Sequence, residues 1–383
     1  MAVKNKSKLK ISTEVLKELL SRSIKGMGAN RHVPLTELMC IKLENGTLTL
    51  ITTDANSYLY VKKKEVEGTD FYVVVRGEQF SKLVSKFTCD MTEIWVSNNA
   101  LEVHGNGDYQ IEIPLDEGKP IEYPDPMTDL VLDEDMRHEL RASTVQMILD
   151  SCKTSLALTL EDPWYTGYYV GDNIIATNKL VVSSIDINIL GDDPVLIPST
   201  YMDLLSVMTE EKFSAFVIPD ENSDRDHIVC TSSDCVVYGD LMERENLDEF
   251  EVDAFNEYIN QEMDSSCKVN KMELLSVLDR VSLFVGAYDD GAVDLTFTQD
   301  GLSVSSKQSN GVDVVSYTSS RDYKPFTGSV EVKQLINIIK SNPEDEVTIE
   351  YGSDEGLKMT AGTLVFIIAL ITDEEDEDGE NES

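Results

Sequence analysis

The feature that most constrains this chain is a repeat. Three amphipathic stretches, STEVLKELLSRSIKGM (12–27), STVQMILDSCKTSLAL (143–158) and KMELLSVLDRVSLFVG (271–286), open three similar series. Each leads into a turn-and-strand signal: ENGTLTLITTD (44–54), GDNIIATNKLVVSS (171–184) and QDGLSVSSKQ (299–308). Asn-Gly and Asp-Gly favour tight hairpins, and the alternation around them is that of half-buried strands. A second helical stretch follows in each series: VVVRGEQFSKLVSKF (73–87), VLIPSTYMDLLSVM (195–208) and GSVEVKQLINIIKS (328–341). A strand-turn-strand run then closes each one. The order helix, strands, helix, strands recurs every ~125 residues, too long for a solenoid unit. It predicts an α+β chain of three whole domains, each with two helices packed on antiparallel sheets. The connections near 122–137 and 245–266 are acidic and Pro-containing or helix-poor.

Composition narrows the class. A chain of 383 residues exceeds one ordinary core, and 41% hydrophobic residues suffice for several in a soluble protein. No apolar run approaches the roughly 20 residues of a membrane span, and MAVKNKSKLK lacks the apolar stretch of a signal peptide. Six cysteines without a CxxC pair read as reduced thiols in the cytoplasm. His227, Cys230 and Cys235 lie in a strand-like run with no fourth ligand nearby, so no metal is expected.

The net charge of -39 is spread unevenly. Residues 1–123 hold 16 Lys/Arg against 17 Asp/Glu, a net of -1. Residues 124–266 hold 7 against 31 and residues 267–383 hold 9 against 23. Eight acids fall in the last twelve residues. Such an average argues against a nucleic-acid partner unless cations are concentrated locally. Helical geometry supplies that concentration. In the first helix Leu16, Leu19, Leu20 and Ile24 form one stripe, with Lys17, Arg22 and Lys25 opposite. In the third, Leu274, Val277, Leu278, Val281 and Val285 form the stripe and Arg280 lies opposite, while Leu283 and Phe284 fall off it. The middle helix offers Lys153. The second helices add Lys82, Lys86, Lys333 and Lys340, with Lys212 just past the middle one. Any polar helix face carries lysine; recurrence on equivalent helices of an acidic chain points to one shared surface.

With that order of elements, residues 8–371 resemble the bacterial DNA polymerase III beta subunits, the sliding clamps. GTLTLITTD and IIATNKLVVSS stand at corresponding places, and RHVPLTELMCIKLENGTLTLITTD is similar to the family's stretch from first helix through second strand. The resemblance implies clamp domains over 1–124, 137–250 and 267–372, followed by an acidic disordered tail, 373–383. It further implies a head-to-tail homodimeric ring around double-stranded DNA, held without sequence preference. Its partners would be a replicative DNA polymerase and a clamp loader, with no membrane, no cofactor and no catalysis. Such a ring works in the cytoplasm, at the nucleoid or replication site.

Carried over residue by residue, the resemblance adds Arg31 to the DNA-contacting cations. It sets Trp164 and Tyr165 near the hole, where a single strand stacks; core or rim packing is the competing reading. A partner-peptide pocket maps to Thr166, Thr177, Leu180, Phe366, Ile368 and Leu370. The family's Thr-Asp-Gly-His-Arg-Leu run is two residues shorter here, Thr177-Asn178-Lys179-Leu180, so the pocket rim differs. The seam between subunits maps to Tyr109, Ile111, Leu283 and Phe284. The acidic tail, which the family lacks, is expected to screen the pocket or outer face. Against an enzyme stand the absence of a phosphate-cradling Gly-rich loop, a nucleophile elbow or a His-rich metal spacing. A clamp-like platform for transcription or repair proteins is the alternative, since it needs the same ring and pocket.

Overall fold

A computed structural model describes residues 7–28, 33–97, 100–128, 130–286, 291–307, 310–352 and 356–371, with backbone alone at 318–321. The chain divides into two compact units, 1–145 with 200–244 and 146–199 with 245–383.

The first unit holds an eight-stranded antiparallel sheet in the order Arg137–Arg141, Lys212–Ile218, His227–Thr231, Cys235–Asp240, Ser57–Lys63, Thr47–Thr53, Leu38–Glu44, Phe71–Arg76. A five-stranded sheet runs Glu67–Gly68, Ser7–Ser12, Met91–Val96, Ala100–His104, Asp108–Glu112. Helices Thr13–Ser23 and Gly77–Ser85 pack together, burying Leu16, Leu19, Leu20, Phe80 and Val84. On one face of the larger sheet Tyr60, Val236 and Tyr238 form a cluster covered by Ile121, Met127, Leu130 and Leu132 from the connecting segment.

The second unit holds a nine-stranded sheet in the order Val195–Pro198, Gly167–Val170, Ile174–Thr177, Val181–Ile185, Leu364–Ala369, Gly356–Ala361, Glu346–Tyr351, Ser265–Asn270, Tyr317–Arg321. Its four-stranded sheet runs Val312–Val315, Gly301–Ser306, Ala292–Thr298, Phe326–Glu331. Helices Lys271–Val281 and Val332–Ser341 bury Leu274, Val277, Leu278, Leu335 and Ile338.

The repeat is written in hydrogen bonds. Helices Thr13–Ser23, Ala142–Cys152 and Lys271–Val281 each start where a strand ends. Their first amide donates to the same kind of acceptor: Thr13 N to Asp90 O at 3.0 Å, Ala142 N to Glu211 O at 3.0 Å, Lys271 N to Asp345 O at 2.9 Å. A helix start needs outside acceptors or caps for its orphan donors, and a carbonyl one residue ahead of a strand takes that part at each start. Each helix is shorter than its apolar periodicity suggested, running 11 residues before a three-residue 3-10 turn.

One connection departs from expectation. Residues 245–266 read as helix-poor, yet they hold helices Arg244–Asp248 and Val252–Asn260. The cause is tertiary. Phe250 and Phe255 sink into a cluster with Tyr165 and Tyr169, Phe250 stacking on Tyr169 at 5.2 Å. Burying two aromatic side chains holds a short helix that is marginal alone.

Candidate functional site

The turn Thr177–Val181 is built by its own side chains. The Thr177 hydroxyl donates to Val181 O at 2.8 Å, and Asn178 Oδ1 accepts from the amides of Leu180 (3.1 Å) and Val181 (2.9 Å). That network holds Lys179 at φ 73, in the left-handed region, and leaves Leu180 53% exposed. Ala369 N donates to Leu180 O, joining the turn to the end of strand Leu364–Ala369.

Beside this turn lies a cavity of about 130 Å³. Val182, Ile367 and Ala369 form its sheet wall, Phe255 and Tyr258 its helix wall, and Lys179, Gln261 and Gly356 its rim. The helix is held down by Lys358, whose ammonium donates to Ile259 O (2.8 Å) and Gln261 O (3.2 Å), a cation on carbonyls at a helix C-terminus. Lys179 is tied to Asp162 at 2.5 Å and lies 5.4 Å from the Tyr165 ring centre, so its ammonium sits above ordinary lysine basicity, chiefly through Asp162. A mostly apolar hollow with a few fixed polar groups suits one large side chain of a peptide.

Of the six residues that the resemblance named for a pocket, only Leu180 lines this cavity. Thr177 is spent inside the turn. Phe366 and Ile368 are buried and pair with Ser183 and Val181, whereas the cavity-lining Ile367 pairs with Val182. Successive strand residues point to opposite faces, so Phe366 and Ile368 belong to the other side of the sheet. Leu370 lies against Gly328, and Thr166 bonds Pro163 O at 2.7 Å. Phe255 and Tyr258, which line the cavity and were not among the six, are an i, i+3 pair in the connection. That spacing is the signal the sequence carries for them.

The same turn exists in the first unit. Thr53 donates to Ser57 O at 2.6 Å, Asp54 Oδ1 accepts from Asn56 and Ser57 amides, and Ala55 takes φ 88. Asp240 N donates to Asn56 O as Ala369 N does to Leu180 O. Here, however, the equivalent wall carries bulk. His227 stands for Gly356, Tyr238 for Ile367, Asp240 for Ala369 and Tyr58 for Val182. His227 lies on the Tyr238 ring at 5.3 Å with Nδ1 2.9 Å from Asp240, and Tyr58 meets Tyr238 edge-on at 6.2 Å. One repeat keeps a hollow where the other fills it.

The cations divide by what holds them. Arg22 is only 9% exposed, with Nη1 2.7 Å from Asp234, against the expectation that it faces outward. Burial pushes the Asp234 carboxyl up, but Arg22, Ser232 and Thr209 outweigh it and hold it below the usual range. Arg280 grips Asp313 through Nε (2.7 Å) and Nη2 (2.6 Å). Lys17 donates to Phe87 O at 2.6 Å, Lys82 pairs with Glu78 at 2.6 Å, and Lys212 begins a strand and pairs with Glu139 at 2.6 Å. Lys153 is exposed on its 3-10 turn. Lys25, Lys86, Lys333 and Lys340 are exposed with no carboxylate on them among the described residues. Arg31 and the acidic tail lie outside the described residues.

No protein-family model matches the sequence, and no curated protein matches it. Solved structures do. The DNA polymerase sliding clamp of Bacillus subtilis superposes with a TM-score of 0.81 at 16% identity, over 96% of this chain and 100% of that one. The beta subunit from the DNA polymerase of Streptococcus pyogenes gives 0.82 at 16% identity, over 95% and 99%. The beta subunit of DNA polymerase III from Thermotoga maritima gives 0.79 at 15% identity, over 96% and 99%. The chain has the sliding-clamp fold.

Within that clamp fold the remaining named residues split. Tyr165, 2% exposed, donates its hydroxyl to Glu251 at 3.0 Å and packs on Trp164, Phe250 and Phe255, so it is core. Leu283 and Phe284 stand 82% and 52% exposed on the 3-10 turn Ser282–Phe284. Tyr109 is half exposed and Ile111 buried, both on strand Asp108–Glu112 at the open edge of the five-stranded sheet. Among the described residues no helix is long and apolar enough to cross a membrane, and no group of His, Cys, Asp and Glu is arranged to hold a metal.

Proposed function

We propose that this protein is a DNA sliding clamp, a non-catalytic replication processivity factor. Three clamp domains (1–124, 137–250 and 267–372) join head to tail with those of a second copy. The ring encircles duplex DNA in the cytoplasm, is opened by a loader, and tethers the replicative polymerase. The observation that carries this reading is the full-length fold match: 96% of this chain accounts for 100% of the B. subtilis clamp. Topology retains such a ring, so the exposed Lys25, Lys86, Lys333 and Lys340 need only weak, sequence-independent phosphate contacts. The acidic remainder discourages DNA from the wrong surface. The hollow between Leu180 and Phe255 is the seat for a partner peptide. Tethering then acts through effective concentration, because the polymerase rebinds before it diffuses away.

The test is retention. Once loaded, the protein stays on closed circular DNA and escapes when the circle is cut. Equal loss rates from circular and linear forms overturn the reading.

A further inference from the structure

Each unit lays its connecting segment across one face of its larger sheet, and the two leave opposite ends of that face open. In the second unit the end around Tyr169 is shut. Phe250 stacks on Tyr169, and Asn173 Nδ2 donates to Ser184 Oγ (3.2 Å) and to Asn256 Oδ1 (3.0 Å). In the first unit that same end holds a cavity of about 520 Å³ between the strands and residues 125–128. We propose that this cavity is a second peptide seat, taking a partner-protein segment with Glu or Asp two residues from a bulky apolar side chain. Every residue of the seat belongs to the first unit, so its occupancy does not depend on ring closure.

The equivalence follows from the ladders. Leu50 pairs with Val61 and Ile174 with Ile185; the next amides, Lys62 N and Asp186 N, donate to Asp234 O (2.7 Å) and Thr363 O (3.0 Å). Thr49 thus corresponds to Asn173, Tyr60 to Ser184 and Lys62 to Asp186. Lys42, two residues past Cys40, corresponds to Gly171, two past Tyr169. Lys42, Thr49 and Lys62 pair side by side across three adjacent strands and form one row of the face. Next to it runs an apolar row, Cys40, Ile51, Tyr60 and Val236. Where the first unit sets two lysines around a threonine, the second has glycine, asparagine and aspartate, with Asn256 of a helix bonded to the asparagine.

Charge selects the occupant. The acids at the cavity are already engaged: Asp125 accepts from the Tyr60 hydroxyl at 2.8 Å and from Met127 N at 3.1 Å, and Glu44 is held by Lys42 at 2.7 Å. Lys62 is half-buried, with no carboxylate on its ammonium among the described residues, and burial holds it below ordinary lysine basicity. An ammonium drawn from water without a counter-charge gains most from an anion brought to it. The Thr47 and Thr49 hydroxyls open on the same cavity and can donate to a carboxylate, while Ile51, Met127 and Val236 supply an apolar wall. The cationic and apolar rows lie two residues apart along each strand, about 6.7 Å, which is the spacing of i and i+2 side chains in an extended peptide.

The probe is a fluorescein-labelled peptide, Gly-Glu-Thr-Leu-Gly, titrated into the full chain at low salt and read by fluorescence anisotropy. It binds the parent chain, and binds Val182→Tyr equally, because the second unit's hollow is not its seat. Writing the second unit's residue into the first, Lys62→Asp, weakens binding at least tenfold, whereas Lys62→Arg keeps it. Replacing the peptide's glutamate by glutamine costs a similar factor. An unchanged thermal unfolding curve for Lys62→Asp separates a lost contact from a lost fold, and the glutamine peptide decides the matter even where that variant does not fold. Binding that survives Lys62→Asp, or that falls with Val182→Tyr, puts the peptide elsewhere and overturns the seat. Equal affinity for the glutamine peptide overturns the acidic ligand, and no binding at millimolar peptide overturns the proposal outright.

Discussion

Arg22 shows how far a helical wheel can be trusted. The wheel sets it opposite the apolar stripe, yet its guanidinium is buried against Asp234, more than two hundred residues away, and Nε and Nη2 have no hydrogen-bond partner among the described residues. A buried ion pair contributes little net stability but is costly to break, because the survivor stays buried and charged. Asp234→Ala is therefore expected to lower stability by about 3 kcal/mol, and adding Arg22→Met to recover most of it, both read by urea unfolding. The pH dependence has a definite sign. A carboxyl held below its unfolded value of about 3.9 contributes stability above that pH and loses it as pH falls through the folded value. The acid limb of the unfolding profile should be shallower in Asp234→Asn than in the parent chain. No residue count near Arg22 announces Asp234; only the folded sheet brings them together.

At the scale of elements, the lesson lies in parity. The sequence locates strand Leu364–Ala369, but its two faces are one residue apart, and the cavity takes Ile367 and Ala369 rather than Phe366 and Ile368. A strand buried on both faces shows no alternation to settle the matter. VFIIA is apolar throughout. The turn beside it, Thr-Asn-Lys-Leu-Val, lies within IIATNKLVVSS, and its counterpart in the first unit, Thr-Asp-Ala-Asn-Ser, starts at the end of GTLTLITTD. Those stretches stand at corresponding places in the sequence, because side-chain capping of a turn is local chemistry. What separates a hollow from a filled wall is side-chain volume at four positions. Writing the first repeat's residue into the second, Val182→Tyr, should fill the cavity. A clamp-binding peptide of a bacterial replicative polymerase then binds at least tenfold more weakly by fluorescence anisotropy, while thermal unfolding still shows a folded chain.

On the whole-molecule scale, charge and topology act together. In the proposed ring, the four exposed lysines carry the phosphate contacts, and each contributes close to one unit of salt slope. Replacing Lys25, Lys86, Lys333 and Lys340 together by Ala should reduce the slope of log affinity against log salt by about three to four units for a short linear duplex. Retention on closed circles at low salt should change far less, because topology does not titrate. The number of repeats, the order of their elements and the surplus of acid were fixed by the sequence alone, since periodicity and composition are properties of the chain read in order. Which face of a strand meets the cavity, whether Arg22 faces water, and that residues 252–260 coil into a helix over Tyr165 were decided only by tertiary structure. Each depends on a contact between residues far apart in sequence, whose energy no local pattern contains.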